Sequence, residues 1–204
     1  MTKVKICGLS RIEDIEYCNE LLPDYIGFIL GFPKSKRNVS FEQAKLLKSK
    51  LNSSIKSVGV FVNADIDYIC SLCDANVIDY VQLHGNEDDD YISKLKSKVD
   101  KPIIKAVRVQ SKEDILSAET LNCDYLLLDT YVKDAIGGSG IAFDWSIIPN
   151  ISKPYFLAGG LNSNNVSKAI AMCNPYAVDV SSSVEDGAYK SKQKIAEFIS
   201  AVKI

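Results

Sequence analysis

Eight short apolar runs alternate with segments of helical character along the whole chain, and this alternation restricts the possible folds more than any other property of the sequence. The runs are Lys3–Ile6, Tyr25–Leu30, Ser57–Val62, Tyr80–Leu83, Ile103–Val109, Tyr125–Leu128, Tyr155–Ala158 and Tyr176–Val180. Between them lie Arg11–Leu22, Phe41–Leu51, Ala64–Ala75, Asp88–Lys98, Lys112–Thr120, Ser163–Ala171 and Lys190–Val202, several opened by Ser, Asn or Asp residues suited to capping. In the last of these, Ile195, Phe198, Ile199 and Val202 recur at helical spacing. Strands that are apolar almost throughout belong in a parallel sheet with both faces covered, and the amphipathic helices supply the outer cover. Eight such units predict an α/β fold, a single (β/α)8 TIM barrel over residues 1–204, lean for its kind. An open doubly wound sheet is the competing architecture, but its GxGxxG fingerprint is absent after the first strand.

The chain is 47% hydrophobic and 25% charged, enough to build one sizeable core. Its net charge of -2, without a basic stripe, excludes nucleic acid as an expected partner. No apolar run approaches the length that spans a bilayer, so no membrane partner is expected and the chain reads as soluble and cytoplasmic. Six cysteines are scattered over a sequence too long and apolar to need disulfide staples, and free thiols are the expectation. Cys70 and Cys73 form a CxxC inside a predicted helix, with no second pair to complete a zinc site, and read as packing on one helix face.

In a parallel barrel the chemistry sits on the C-terminal rim. Cys7 closes the first apolar run and Asp129 the sixth, so both fall on that rim, where a thiol and a carboxyl could serve as base and acid. The competing reading of Cys7 is inert packing, the usual fate of a free cysteine. The second and sixth units are longer than the rest, and the extra length follows the strand, on the catalytic face. The second holds Lys34, Lys36 and Arg37. Arg37 offers a planar fork suited to a carboxylate or phosphate, while the two lysines supply local potential; a solvated charge run is the alternative. The sixth holds Gly137-Gly138-Ser139-Gly140 followed by Phe143-Asp144-Trp145, a pattern that suits either anion approach or a mobile loop.

After the seventh and eighth runs come Gly159-Gly160 and Ser181-Ser182-Ser183, small residues where barrels commonly bind phosphate through backbone N–H groups. A plain turn and a helix cap are the alternatives. Asp179 lies between Val178 and Val180, and strand alternation turns it away from them, toward the barrel interior or rim, to bind a sugar hydroxyl or to brace the barrel. His84, the single histidine, ends the fourth run as an acid–base group or a positioned hydrogen-bonding one. No metal-ligand spacing surrounds it, so no metal is assigned.

Taken in order, KICGL at 5–9, the loop ending at Arg37, QLHG at 82–85, LLLD at 126–129, GGSG and FDW within 137–145, LAGGL at 157–161 and DVSSSVE at 179–185 resemble the phosphoribosylanthranilate isomerase family along nearly the full chain. The resemblance implies a small, cofactor-free barrel, monomer or homodimer, that performs an Amadori rearrangement on a phosphosugar joined to anthranilate. It implies Asp129 as general acid, protonated when substrate binds, and Cys7 as general base, which calls for a depressed thiol pKa or a proton-accepting surrounding. It also implies Arg37 on the anthranilate carboxylate, Gly159, Gly160, Ser181, Ser182 and Ser183 around the phosphate, and His84 and Asp179 among the substrate-binding residues. Ser183 stands where the family commonly has glycine. A related histidine-pathway isomerase would place an aspartate where this chain has Cys7, and a catalytically idle scaffold barrel is the reading from a different class.

Overall fold

Each apolar run becomes one strand of a closed barrel in the computed structural model, which describes residues 1–130 and 144–203. The strands are β1 (Lys3–Cys7), β2 (Tyr25–Leu30), β3 (Lys56–Phe61), β4 (Tyr80–Leu83), β5 (Ile103–Val109), β6 (Tyr125–Thr130), β7 (Tyr155–Leu157) and β8 (Ala177–Val180). All pair in parallel with their sequence neighbours, and β1 closes the circle by pairing with both β2 and β8. In that register Lys5 stands opposite Tyr25 on one side and Asp179 on the other.

Seven helices surround the strands: α1 (Ile12–Leu21), α2 (Phe41–Lys50), α3 (Ile66–Asp74), α4 (Asp89–Lys96), α5 (Lys112–Glu119), α6 (Val166–Cys173) and α7 (Lys192–Val202). Their starts follow the caps: the side chains of Ser40, Asp65, Asp88 and Ser111 each accept a backbone N–H of the first turn. Between β6 and β7 the described residues hold only the 3-10 turn Trp145–Ile147. The sequence segment 137–140, together with Phe143, lies outside the described residues. None of the described helices is long and apolar enough to cross a membrane. On α3, Cys73 is buried and Cys70 half-buried, and both are free thiols.

Strand alternation divides the core in two. Val4, Ile6, Ile26, Phe28, Val178 and Val180 face the helices, whereas Tyr25, Val58, Ile104, Leu127, Phe156 and Ala177 fill the barrel. At its N-terminal end four tyrosines form a floor: the rings of Tyr25 and Tyr80 lie 5.3 Å apart and those of Tyr125 and Tyr176 5.1 Å apart, with Phe156 packed edge-on to Tyr25. Two of the phenols are paired there, since Tyr176 Oη receives Lys3 Nζ at 2.9 Å and meets Tyr25 Oη at 2.9 Å. With that end plugged, the open mouth is at the C-terminal rim.

Candidate active site

One pocket opens at that rim, and Cys7, Arg37, His84, Asp129, Gly159, Gly160, Asp179, Ser181, Ser182 and Ser183 all line it. Ten residues from the ends of six strands and the loops that follow them thus converge, as the parallel barrel requires of side chains carried by strand C-termini. Lys34 and Lys36 are exposed and do not line the pocket.

Asp129 is the last inward-facing residue of β6, and both its carboxylate oxygens are engaged. Oδ1 accepts the Thr130 backbone N–H at 2.8 Å, and Oδ2 lies 3.3 Å from His84 Nε2. Gln82, two residues before His84 and therefore on the same face of β4, places its amide nitrogen 2.9 Å from His84 Nδ1. With the amide as donor, the neutral imidazole carries its proton on Nε2 and donates toward Asp129. The Gln82 amide oxygen is buried and has no partner among the described residues. The backbone beyond His84 is fixed by Glu87, which accepts the N–H groups of Asn63 at 2.7 Å and Gly85 at 2.9 Å and is neutralised by Lys105 at 2.8 Å. Gly159, at a φ of 79°, lets β7 end against this carboxyl: a Cβ there would stand 2.4 Å from the Thr130 nitrogen and 2.8 Å from Asp129 Oδ1.

Cys7 ends β1 on the same inward face as Lys5. The Lys5 ammonium is completely buried and lies 2.9 Å from Asp179 Oδ1, which makes Asp179 its counter-ion inside the barrel. Burial alone would depress the ammonium; Asp179, and to a lesser degree Cys7, outweigh it and hold Lys5 above its ordinary value. Burial likewise pushes the Asp179 carboxyl up, against the pull of Lys5 and with the charge of Asp129 adding to it.

The Cys7 thiol is raised above its ordinary value. The sequence reading asks for a depressed thiol or a proton-accepting surrounding, and the first half of that expectation is corrected here. Desolvation is the largest influence and outweighs the lowering by Lys5 and Lys190. The neighbours still supply cations on which a thiolate can lean. Because the thiol is raised, its thiolate fraction below that pKa grows about tenfold per pH unit. Alkylation of Cys7 by iodoacetamide, followed by mass spectrometry of its peptide, should therefore climb steadily through and above neutrality. A plateau near pH 7 would contradict the raised thiol.

The phosphate-type loops are shaped by hydrogen bonds of their own. Ser181 Oγ donates to the Cys7 carbonyl at 3.0 Å, and Ser183 Oγ to the Leu161 carbonyl at 2.5 Å, so the second loop is tied to β1 and to the loop after β7. Residues 182–184 form a 3-10 turn beginning right after β8. Gly159 and Gly160 both hold positive φ, as the turn after β7 requires. Among the described residues no three His, Cys, Asp or Glu side chains gather as a metal site would need.

Four neighbours of these side chains escaped the sequence reading: Lys5, Gln82, Lys190, and Glu185, which pairs with Arg37. Lys5 had a usable signal, since alternation puts it on the same face as Cys7 and a mid-barrel lysine demands a counter-ion. Gln82 had the same signal through its spacing from His84.

A closed barrel with acid, thiol, arginine and small-residue turns gathered at the C-terminal mouth defines a (β/α)8 enzyme with its pocket at that rim. The sequence profile described as PRAI, N-(5'phosphoribosyl)anthranilate (PRA) isomerase, matches residues 4–201, and the chain belongs to that family. The N-(5'-phosphoribosyl)anthranilate isomerase of Endomicrobium trichonymphae is 48% identical over 98% of this chain and 97% of its own length. The crystal structure of the Thermotoga maritima phosphoribosyl anthranilate isomerase superposes with a TM-score of 0.86 at 34% identity, covering 100% of this chain and 99% of that one. A phosphoribosyl anthranilate isomerase in complex with reduced 1-(o-carboxyphenylamino)-1-deoxyribulose 5-phosphate gives 0.82 at 33% identity, covering 100% and 99%.

Proposed function

We propose that this chain isomerises N-(5-phosphoribosyl)anthranilate to 1-(2-carboxyphenylamino)-1-deoxyribulose 5-phosphate, a step of tryptophan biosynthesis, by general acid–base catalysis at the barrel mouth. The observation that carries the reading is the convergence of an acid, a base and two kinds of anion site on one pocket. The substrate has a carboxylate at one end and a phosphate at the other. Arg37 suits the first, and the turns at Gly159-Gly160 and Ser181–Ser183 suit the second.

Asp129 gives its proton to the furanose ring oxygen as the C1–O bond breaks, and the nitrogen lone pair forms the C1=N bond of a protonated Schiff base. That cation acidifies the C2 proton, which Cys7 removes as a thiolate; the C1=N electrons move to nitrogen and an enolamine results. Proton return to C1 and loss of the C2 hydroxyl proton give the ketone. The substrate nitrogen acts as the electron sink throughout. His84 holds the Asp129 carboxyl in place, Lys5 and Lys190 balance the thiolate, and Asp179 keeps Lys5 charged.

The direct test is loss of anthranilate-linked fluorescence when freshly prepared phosphoribosylanthranilate meets the enzyme; absence of any loss would overturn the reading. With turnover in hand, Arg37→Ala should raise KM about tenfold or more while kcat changes little, because a charged hydrogen bond to a non-reacting carboxylate is uniform binding. A fall in kcat at unchanged KM would remove Arg37 from the carboxylate end.

A further inference from the structure

Beyond the pocket wall, the Arg37 guanidinium is gripped from behind. Its Nε and Nη2 each donate to one oxygen of Glu185 at 2.6 Å, a bidentate pair, while Nη1 makes no hydrogen bond among the described residues. Glu185 does not line the pocket and its side chain is only 7% exposed, against 27% for Arg37. The carboxylate is itself held: residues Glu185–Asp186 and Tyr189–Lys190 form a small antiparallel hairpin whose register sets Glu185 opposite Lys190. Lys190 Nζ reaches Glu185 Oε1 at 2.6 Å and the Ser181 carbonyl at 3.0 Å. Burial would raise the Glu185 carboxyl, but Arg37 and Lys190 overcome it and hold it below its ordinary value. The stem of Arg37 is equally constrained, since a Cβ on Gly8, at φ 82°, would stand 2.5 Å from Arg37 Cδ.

We propose that Glu185 is a positioning residue that fixes the Arg37 fork with its Nη1 end toward the pocket, so that a substrate carboxylate meets a cation already oriented. The proposal deepens the functional reading above and rests on it. Lys190 neutralises Glu185 and anchors it to the Ser181 loop, which joins the carboxylate end of the site to the phosphate end through buried charges. The fork is bound along one edge before substrate arrives, so the entropy of ordering a long side chain is already spent in the free enzyme.

The test is a double-mutant cycle of Glu185→Gln and Arg37→Ala. Glu185→Gln puts an N–H against the cationic fork and should raise KM about tenfold or more with kcat changed by less than about threefold. In the Arg37→Ala background the same substitution should add less than about twofold, because its effect runs through Arg37. Glu185→Asp keeps the charge beside Lys190 and hence the fold, but is one methylene too short for the bidentate grip, and should raise KM as well. Unchanged KM in both variants, or equal effects with and without Arg37, would overturn the proposal.

A second readout does not depend on turnover. Phenylglyoxal modification of Arg37, followed by peptide mass spectrometry, should be faster in Glu185→Gln and Glu185→Asp than in the unaltered protein. Equal rates would overturn the positioning role. If the unaltered protein fails to consume phosphoribosylanthranilate, the functional reading falls, while the modification rates still decide what Glu185 does.

Discussion

Replacing Asp129 by Asn should lower kcat by about 10²- to 10⁴-fold, the usual worth of a positioned general acid, and leave KM within a few-fold. The amide retains the shape of the carboxyl. Its oxygen can still accept the Thr130 N–H that Oδ1 accepts at 2.8 Å, and its NH2 then faces His84 Nε2, which accepts it once the imidazole proton moves to Nδ1 and Gln82 turns its amide oxygen there. It has no proton to give a ring oxygen as the C1–O bond breaks. The change should appear in single-turnover measurements as a slower chemical step, not as slower product release. Near-normal turnover in folded Asp129→Asn protein would transfer the acid role elsewhere, with His84 the adjacent candidate.

Removing the cation beneath the thiol should damage the protein as much as removing the acid damages the chemistry. Lys5→Met leaves Asp179 buried beside a methyl group, and breaking one partner of such a pair costs about 3–5 kcal/mol. Chemical denaturation would read this loss directly. Introducing Asp179→Leu into the same variant should return much of it, because the orphaned charge is then gone. The pH dependence follows from the direction of the Asp179 shift. Its pKa in the fold stands above the ordinary value even with Lys5 present, and loss of the lysine raises it further. A folded-state pKa above the unfolded one means that stability falls as pH rises through it. The deficit of Lys5→Met should therefore shrink toward acid pH and grow as pH rises. A deficit equal at all pH values would mean that lost packing, not the unpaired carboxylate, dominates.

The strands were legible because burial on both faces leaves near-continuous apolar runs, and the helices because their apolar positions and caps recur at fixed spacing. Cys7 and Asp129 were legible for the same reason, as polar residues that terminate such runs. Lys5 was harder: it sits inside the first run, and its counter-ion is 174 residues away. Only strand alternation combined with barrel closure brings the two together. The Glu185–Lys190 hairpin was illegible because its strands are two residues long, too short for any periodicity. The fork of Arg37 was read from chemistry alone, and the sequence carries no sign that a second carboxylate holds it from behind. The direction of the Cys7 shift was beyond reach as well, since it is the balance of desolvation against two cations supplied by different segments.

The pairing of Lys5 with Asp179 lies across the seam where β1 meets β8. In terms of synthesis, β1 precedes every other strand of the barrel and its partner β8 follows them all. Burying the Lys5 ammonium before Asp179 is in place would desolvate an unpaired charge, which costs several kcal/mol. Packing that buries Lys5 ahead of β8 is thereby disfavoured, and the long-range contact that completes the sheet also completes its charge balance. The same lysine that supports the thiol thus couples the arrival of the last of the eight strands to the moment the site becomes electrostatically whole.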